Sequence, residues 1–107
     1  MSAITIKNIF NKKIYTSTDN ENILMSIQSN NIDWMHACGA KGRCTTCKFI
    51  IVNGHNNIST ETDIEVKYRE LNKLSENERL ACQCTAVDDI TILVPESGKM
   101  PHMKYSD

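Results

Sequence analysis

Residues 36–49 read HACGAKGRCTTCKF and place three cysteines, Cys38, Cys44 and Cys47, inside ten positions. The spacing is Cys38-x5-Cys44-x2-Cys47, and the residues between are small, flexible or charged. A hydrophobic core has no use for sulfurs in this pattern. A metal centre does, because several thiolates must converge on one point. Two more cysteines, Cys82 and Cys84, follow far downstream.

The chain has 107 residues, the size of one domain and enough to bury a core. Thirteen acidic against twelve basic residues give a formal charge of −1, which argues against a strongly basic nucleic-acid binder. No apolar run approaches the length of a membrane span. The opening MSAITIKNIF alternates polar and apolar residues, unlike the continuous apolar region of a signal peptide. These features place the protein in a reducing cytoplasm. There an odd set of five cysteines points to metal or redox chemistry and away from a disulfide framework.

Two metal centres compete for the sulfurs. Zinc takes four ligands in a tetrahedron, usually as two short-spaced pairs, and Cys44-x2-Cys47 with Cys82-x-Cys84 could supply them. A 2Fe–2S cluster also takes four thiolates, but its loop must wrap around inorganic sulfide. That favours a longer first gap, a two-residue gap and a distant fourth cysteine. The loop composition favours the cluster. Gly39 and Gly42 allow the backbone close approach, and the N–H groups of residues 39–43 with the hydroxyls of Thr45 and Thr46 can donate to sulfur. A zinc knuckle needs no donor-lined loop of this length.

Around the loop the pattern is α+β. Ile4, Ile6 and Asn8 share one strand face, a turn at Asn11-Lys12 follows, and KIYTS is a second strand, making a hairpin. Thr18 and Glu21 have the spacing of a capping box ahead of a helix of about three turns carrying Ile23, Leu24 and Ile27, ended by Asn30 and Asn31. KFIIV is a strand closed by the turn Asn53-Gly54, and residues 55–62 read as polar loop. IEVKYRELNKL spaces Ile64, Tyr68 and Leu71 as a short helix. ACQCTAV and ITILV read as two strands around Asp88-Asp89. Residues 1–95 form the expected domain and 96–107 a mobile tail without periodicity.

CGAKGRCTTC followed by RLACQ resembles the 2Fe–2S ferredoxins, and the x5 gap is similar to the adrenodoxin-like group, vertebrate-type and bacterial. The likeness also takes in the strand pair, the capped helix, IDWMHACG and ITILVP. It implies a β-grasp fold, a small mixed sheet with one main helix across a face and one cluster near the surface. The activity it implies is one-electron transfer between proteins, with no enzyme chemistry of the chain's own. Its partners would be a ferredoxin reductase and an acceptor such as a P450, an oxygenase or a cluster-assembly system. Neither nucleic acid nor membrane is involved, and the chain would be a monomer. Carried onto this sequence, the family pattern makes Cys38, Cys44, Cys47 and Cys82 the ligands, Cys82 because it follows Arg79-Leu80-Ala81 and precedes Gln83. Cys84 is then a small buried bystander, although on a strand it would share a face with Cys82. The alternative outside this family is a structural or regulatory zinc domain.

Two features depart from the adrenodoxin-like pattern. The segment 61–79 carries Glu61, Asp63, Glu65, Glu70, Glu76 and Glu78 but also Lys67, Arg69, Lys73 and Arg79, a mixed and solvated surface in place of a strongly acidic helix. Lys41 and Arg43 put positive charge in the cluster loop, where it should raise the reduction potential. Trp34, the only tryptophan, is expected to cover core beside the loop. His36, two positions before Cys38, could replace a thiolate as in Rieske centres, but the complete cysteine set makes that unnecessary, and His55 and His102 have no metal-spaced partner.

Overall fold

The computed structural model describes residues 3–16, 22–34, 47–101 and 103–106. Among these residues five strands and two helices run in the order β1 (Ala3–Ile6), β2 (Lys12–Tyr15), α1 (Ile23–Ser29), β3 (Lys48–Asn53), α2 (Asp63–Glu70), β4 (Glu78–Leu80) and β5 (Ile90–Leu93), with 3-10 turns at His55–Asn57 and Glu96–Gly98. The strands form one mixed sheet in the order β2-β1-β5-β3-β4. The first hairpin is antiparallel, with Ile4 opposite Ile14, and β1 lies parallel to β5, with Ile4 opposite Ile90. β5 and β4 flank β3, both antiparallel to it. This is the expected β-grasp.

Alternation along β1 sends Ile4 and Ile6 into the core, where Ile14, Ile23, Leu24, Ile27, Phe49 and Ile92 meet them. Asn8 sits on the same face, fully enclosed, and continues the ladder with its side chain. Its Nδ2 donates to the Val94 carbonyl at 2.9 Å and its Oδ1 accepts from Val94 N–H at 2.8 Å. An amide can imitate a strand backbone because it carries one donor and one acceptor side by side. Helix α1 covers the sheet with Ile23, Leu24 and Ile27, as their spacing foretold. It is seven residues long, two turns and not three, and its N-cap is Asn22, whose Oδ1 accepts from Met25 N–H at 2.7 Å. The expected box at Thr18 and Glu21 lies outside the described residues. Asn30 and Asn31 end the helix, Asn31 with φ 61°.

The Asn53-Gly54 turn demands glycine. Gly54 has φ 85°, and a Cβ there would meet the Asp89 carbonyl oxygen at 2.7 Å. Three expectations need correction. The turn of the first hairpin covers residues 7–11, so Lys12 already belongs to β2, and β2 ends at Tyr15. Glu78–Leu80 forms a strand that no periodicity announced, since its three residues are all buried although two are charged. ACQCTAV is not a strand: residues 81–83 turn, and only Ala86 bridges, to Ile58. The reason is tertiary. The first N–H groups of α1 take the carbonyls of this segment, Ile23 from Cys84 and Leu24 from Ala81, both at 2.9 Å.

After β5 the chain returns across the first hairpin. Ser106 N–H donates to the Asn8 carbonyl at 2.9 Å, its Oγ accepts from Phe10 N–H, and Met103 and Tyr105 pack against the core. Among the described residues no helix is long and apolar enough to cross a membrane.

Candidate metal centre

Cys47 immediately precedes β3 and Cys82 lies in the turn after β4, so antiparallel pairing of these strands brings them together. Lys48 stands opposite Leu80, and Ala81 N–H donates to the Cys47 carbonyl at 3.3 Å. The two sulfurs are 3.4 Å apart, with Cys47 fully buried and Cys82 nearly so. That separation is far beyond a disulfide bond of about 2.05 Å. It is near the spacing of about 3.8 Å between two sulfurs bound at about 2.3 Å to one tetrahedral ion. A pair of buried thiols at that distance fits two ligands of one iron. Gln83 Nε2 reaches the Cys82 sulfur at 3.7 Å, the kind of donor that stabilises a thiolate. Cys38 and Cys44, with Lys41 and Arg43, lie outside the described residues.

Each of the two sulfurs is held from behind. Trp34, buried in the core as expected, donates its Nε1–H to the Cys47 carbonyl at 3.0 Å. Cys82 is gripped by the elements on either side of it: Asn22 Nδ2 reaches its carbonyl at 3.5 Å from α1, and α2 holds the residues before it. Cys84, 1% exposed, donates its S–H to the Leu80 carbonyl at 3.1 Å. Burial pushes this thiol well up, with the Glu65 carboxylate and Cys82 adding to the shift against the opposing Arg79 charge.

Sequence reasoning missed the group that organises this region. Glu65, counted there among solvated surface charges, is fully buried. It forms a capping box with Thr62 at the start of α2 and also receives both Arg79 Nε, at 2.7 Å, and Arg79 Nη2, at 2.9 Å. Burial alone would raise its pKa. Hydrogen bonds from Arg79 and from the N–H groups of Leu80 and Thr62 outweigh that and hold the carboxyl below its ordinary range. Arg79 is desolvated too, yet Glu65 and the neighbouring negative groups keep it firmly charged. Thr62-x-x-Glu65 is a legible capping box in the sequence. Its burial is not legible, because charge ordinarily marks the solvated side of a helix.

The other charges of the segment 61–79 are partly paired. Glu61 pairs with Arg69, and Glu78 pairs with Lys48 at 3.5 Å while accepting from Ser75 N–H. Asp63, Glu70, Glu76, Lys67 and Lys73 form no ion pair among the described residues, so the outer face is mixed, as the sequence implied. Leu71, expected on the apolar face, is the C-cap and is 54% exposed.

Comparison with known proteins bears on this arrangement. The model of the 2Fe-2S iron-sulfur cluster binding domain matches residues 8–87. The chain is 33% identical over 84 residues to 2Fe-2S ferredoxin-5 of Aquifex aeolicus, covering 76% of this chain and 88% of that one. Its fold superposes on the ISC-like [2Fe-2S] ferredoxin FdxB of Pseudomonas putida with a TM-score of 0.72 at 24% identity, over 96% of this chain and 100% of the other. It also superposes on the ferredoxin reductase in carbazole 1,9a-dioxygenase with a TM-score of 0.67 at 26% identity. That likeness covers 88% of this chain but only 27% of the reductase.

Proposed function

The chain belongs to the 2Fe-2S iron–sulfur cluster binding family, whose ferredoxins are electron carriers, and from that premise we propose that it carries single electrons from a reductase to a separate acceptor protein. Cys38, Cys44, Cys47 and Cys82 hold the cluster. The observation that supports this reading is the buried Cys47–Cys82 pair, two sulfurs 3.4 Å apart beside the paired ends of β3 and β4. When bound, the cluster supplies a centre that accepts and releases one electron. The residues around it keep it in place. Trp34 and Ala81 N–H fix the Cys47 backbone, Gln83 donates toward the Cys82 sulfur, and the apolar residues packed around both thiols keep water from them.

The test is compositional and then mutational. Purified protein should contain two irons and two acid-labile sulfides per chain and be red-brown. Zinc without labile sulfide would overturn the reading in favour of a zinc domain. Cys82→Ser should lose most of the visible absorption and Cys84→Ser should keep it, since the Cys84 thiol is directed at the Leu80 carbonyl. The reverse result would move the fourth ligand to Cys84. Rates of electron delivery to a P450, an aromatic-ring oxygenase and a cluster-assembly system, at physiological salt, rank the acceptors.

A further inference from the structure

We propose that Glu65 is a positioning residue for Cys82: one carboxylate on α2 sets the path of the backbone that presents this sulfur. The inference rests on the reading of Cys82 as a ligand. A glutamate at the third position of a helix completes its cap by accepting from the N-cap N–H, and Glu65 does so, from Thr62 at 3.1 Å. Capping asks for nothing more, and a capping carboxylate ordinarily sits at the surface. This one has a side chain with no exposure, and most of its hydrogen bonds run elsewhere. Oε2 accepts from Arg79 Nε and from Leu80 N–H at 3.0 Å, while Oε1 accepts from Arg79 Nη2. The donors are the two residues of β4 that stand three and two positions before Cys82.

The position of β4 explains why a carboxylate is needed there. Among the described residues it is the last strand of the sheet, so the N–H of Leu80 that faces outward meets no further strand there. Glu65 takes that strand's place. The clamp continues past the sulfur. Arg79 Nη1 donates to the Ser59 carbonyl at 2.9 Å, and Ser59 Oγ accepts from Thr85 N–H at 3.0 Å. The stretch from Arg79 to Thr85 is thus fastened at both ends on the α2 side. On its other side the N-terminus of α1 binds the carbonyls of Ala81 and Cys84. Apolar side chains could fill the same volume, but they do not fix a backbone N–H in one direction; a carboxylate that accepts from it, itself held by a bidentate ion pair, does.

The test compares cluster-loaded Glu65→Gln with Ile64→Ala. Ile64 lies on the same helix, is half-buried and packs against the core, and makes none of these hydrogen bonds. Both variants should melt lower. Only Glu65→Gln should also change the visible circular dichroism, the electron paramagnetic resonance of the reduced protein and the reduction potential, all read well below melting. In the same variant the Leu80 amide should exchange at least tenfold faster. Parental cluster signatures in Glu65→Gln, or equal shifts in both variants, would overturn the proposal and leave Glu65 a stabilising residue only. If Glu65→Gln does not load, Arg79→Lys serves, because it keeps the charge and loses the fork. Altered signatures support the clamp and parental ones overturn it. Cys82→Ser separates the premise from the proposal: retention of the cluster there would remove Cys82 as ligand, whatever Glu65 does.

Discussion

Replacing Trp34 by phenylalanine removes one hydrogen bond and part of one ring from behind Cys47, and the structure sets the size of both losses. The Cys47 carbonyl accepts from Trp34 Nε1–H at 3.0 Å and from Ala81 N–H at 3.3 Å. Without the indole it keeps the second, so the loss is that of an ordinary net hydrogen bond, about 0.5–1.5 kcal/mol, and not that of an orphaned buried acceptor. Trp34 is 4% exposed, so the smaller ring also gives up buried apolar surface, worth about 1–2 kcal/mol. Together the variant should lose about 1.5–3.5 kcal/mol. With a shift of about 4–8 °C per kcal/mol for a domain near this size, the melting point should fall by roughly 6–28 °C. Holoprotein and variant are to be melted at matched scan rate, followed at the cluster absorbance and by far-ultraviolet circular dichroism. A change under about 2 °C would show that the indole contributes no net hold on Cys47. A loss beyond about 4 kcal/mol would mean that Ala81 N–H does not satisfy the carbonyl, and the geometry drawn for the pair would be wrong.

Three further outcomes are expected. The Glu65 carboxyl is held below its ordinary range, so its stabilisation is present above the unfolded value of about 4.5 and is lost as pH falls through the folded value. Urea unfolding of the apoprotein should therefore show a gap between parent and Glu65→Gln that is widest near neutrality and closes on acidification. A gap independent of pH from 7 to 3 would refute the charge argument. Phe10 has φ 52° and is 65% exposed, so Phe10→Gly should relieve left-handed strain and raise stability by about 0.5–1 kcal/mol; destabilisation in urea titration would count against it. Cys84, 1% exposed and bonded to the Leu80 carbonyl, should react with iodoacetamide at least a hundredfold slower in native apoprotein than in urea, and comparable rates would contradict its enclosure.

Much of the molecule was written in local pattern. The cysteine spacing, alternation around Ile4 and Ile6, the helical spacing of Ile23, Leu24 and Ile27, the stop at Asn30-Asn31 and the turn at Asn53-Gly54 all depend on residues within a few positions of one another. Even Asn8 on an otherwise apolar face was a visible sign, although its partner Val94 was not. What no short window carried was pairing across the chain. β1 lies against β5 over a separation of 86 residues, β4 is a strand only because β3 lies beside it, and the residues around Cys82 turn because α1 takes their carbonyls. Glu65 shows the limit most sharply. By composition it belongs outside, and it is inside because Arg79 and the outward N–H of Leu80 arrive from another element to satisfy it. A charge is buried only where distant groups replace the water it loses, and that replacement exists only once the chain has folded.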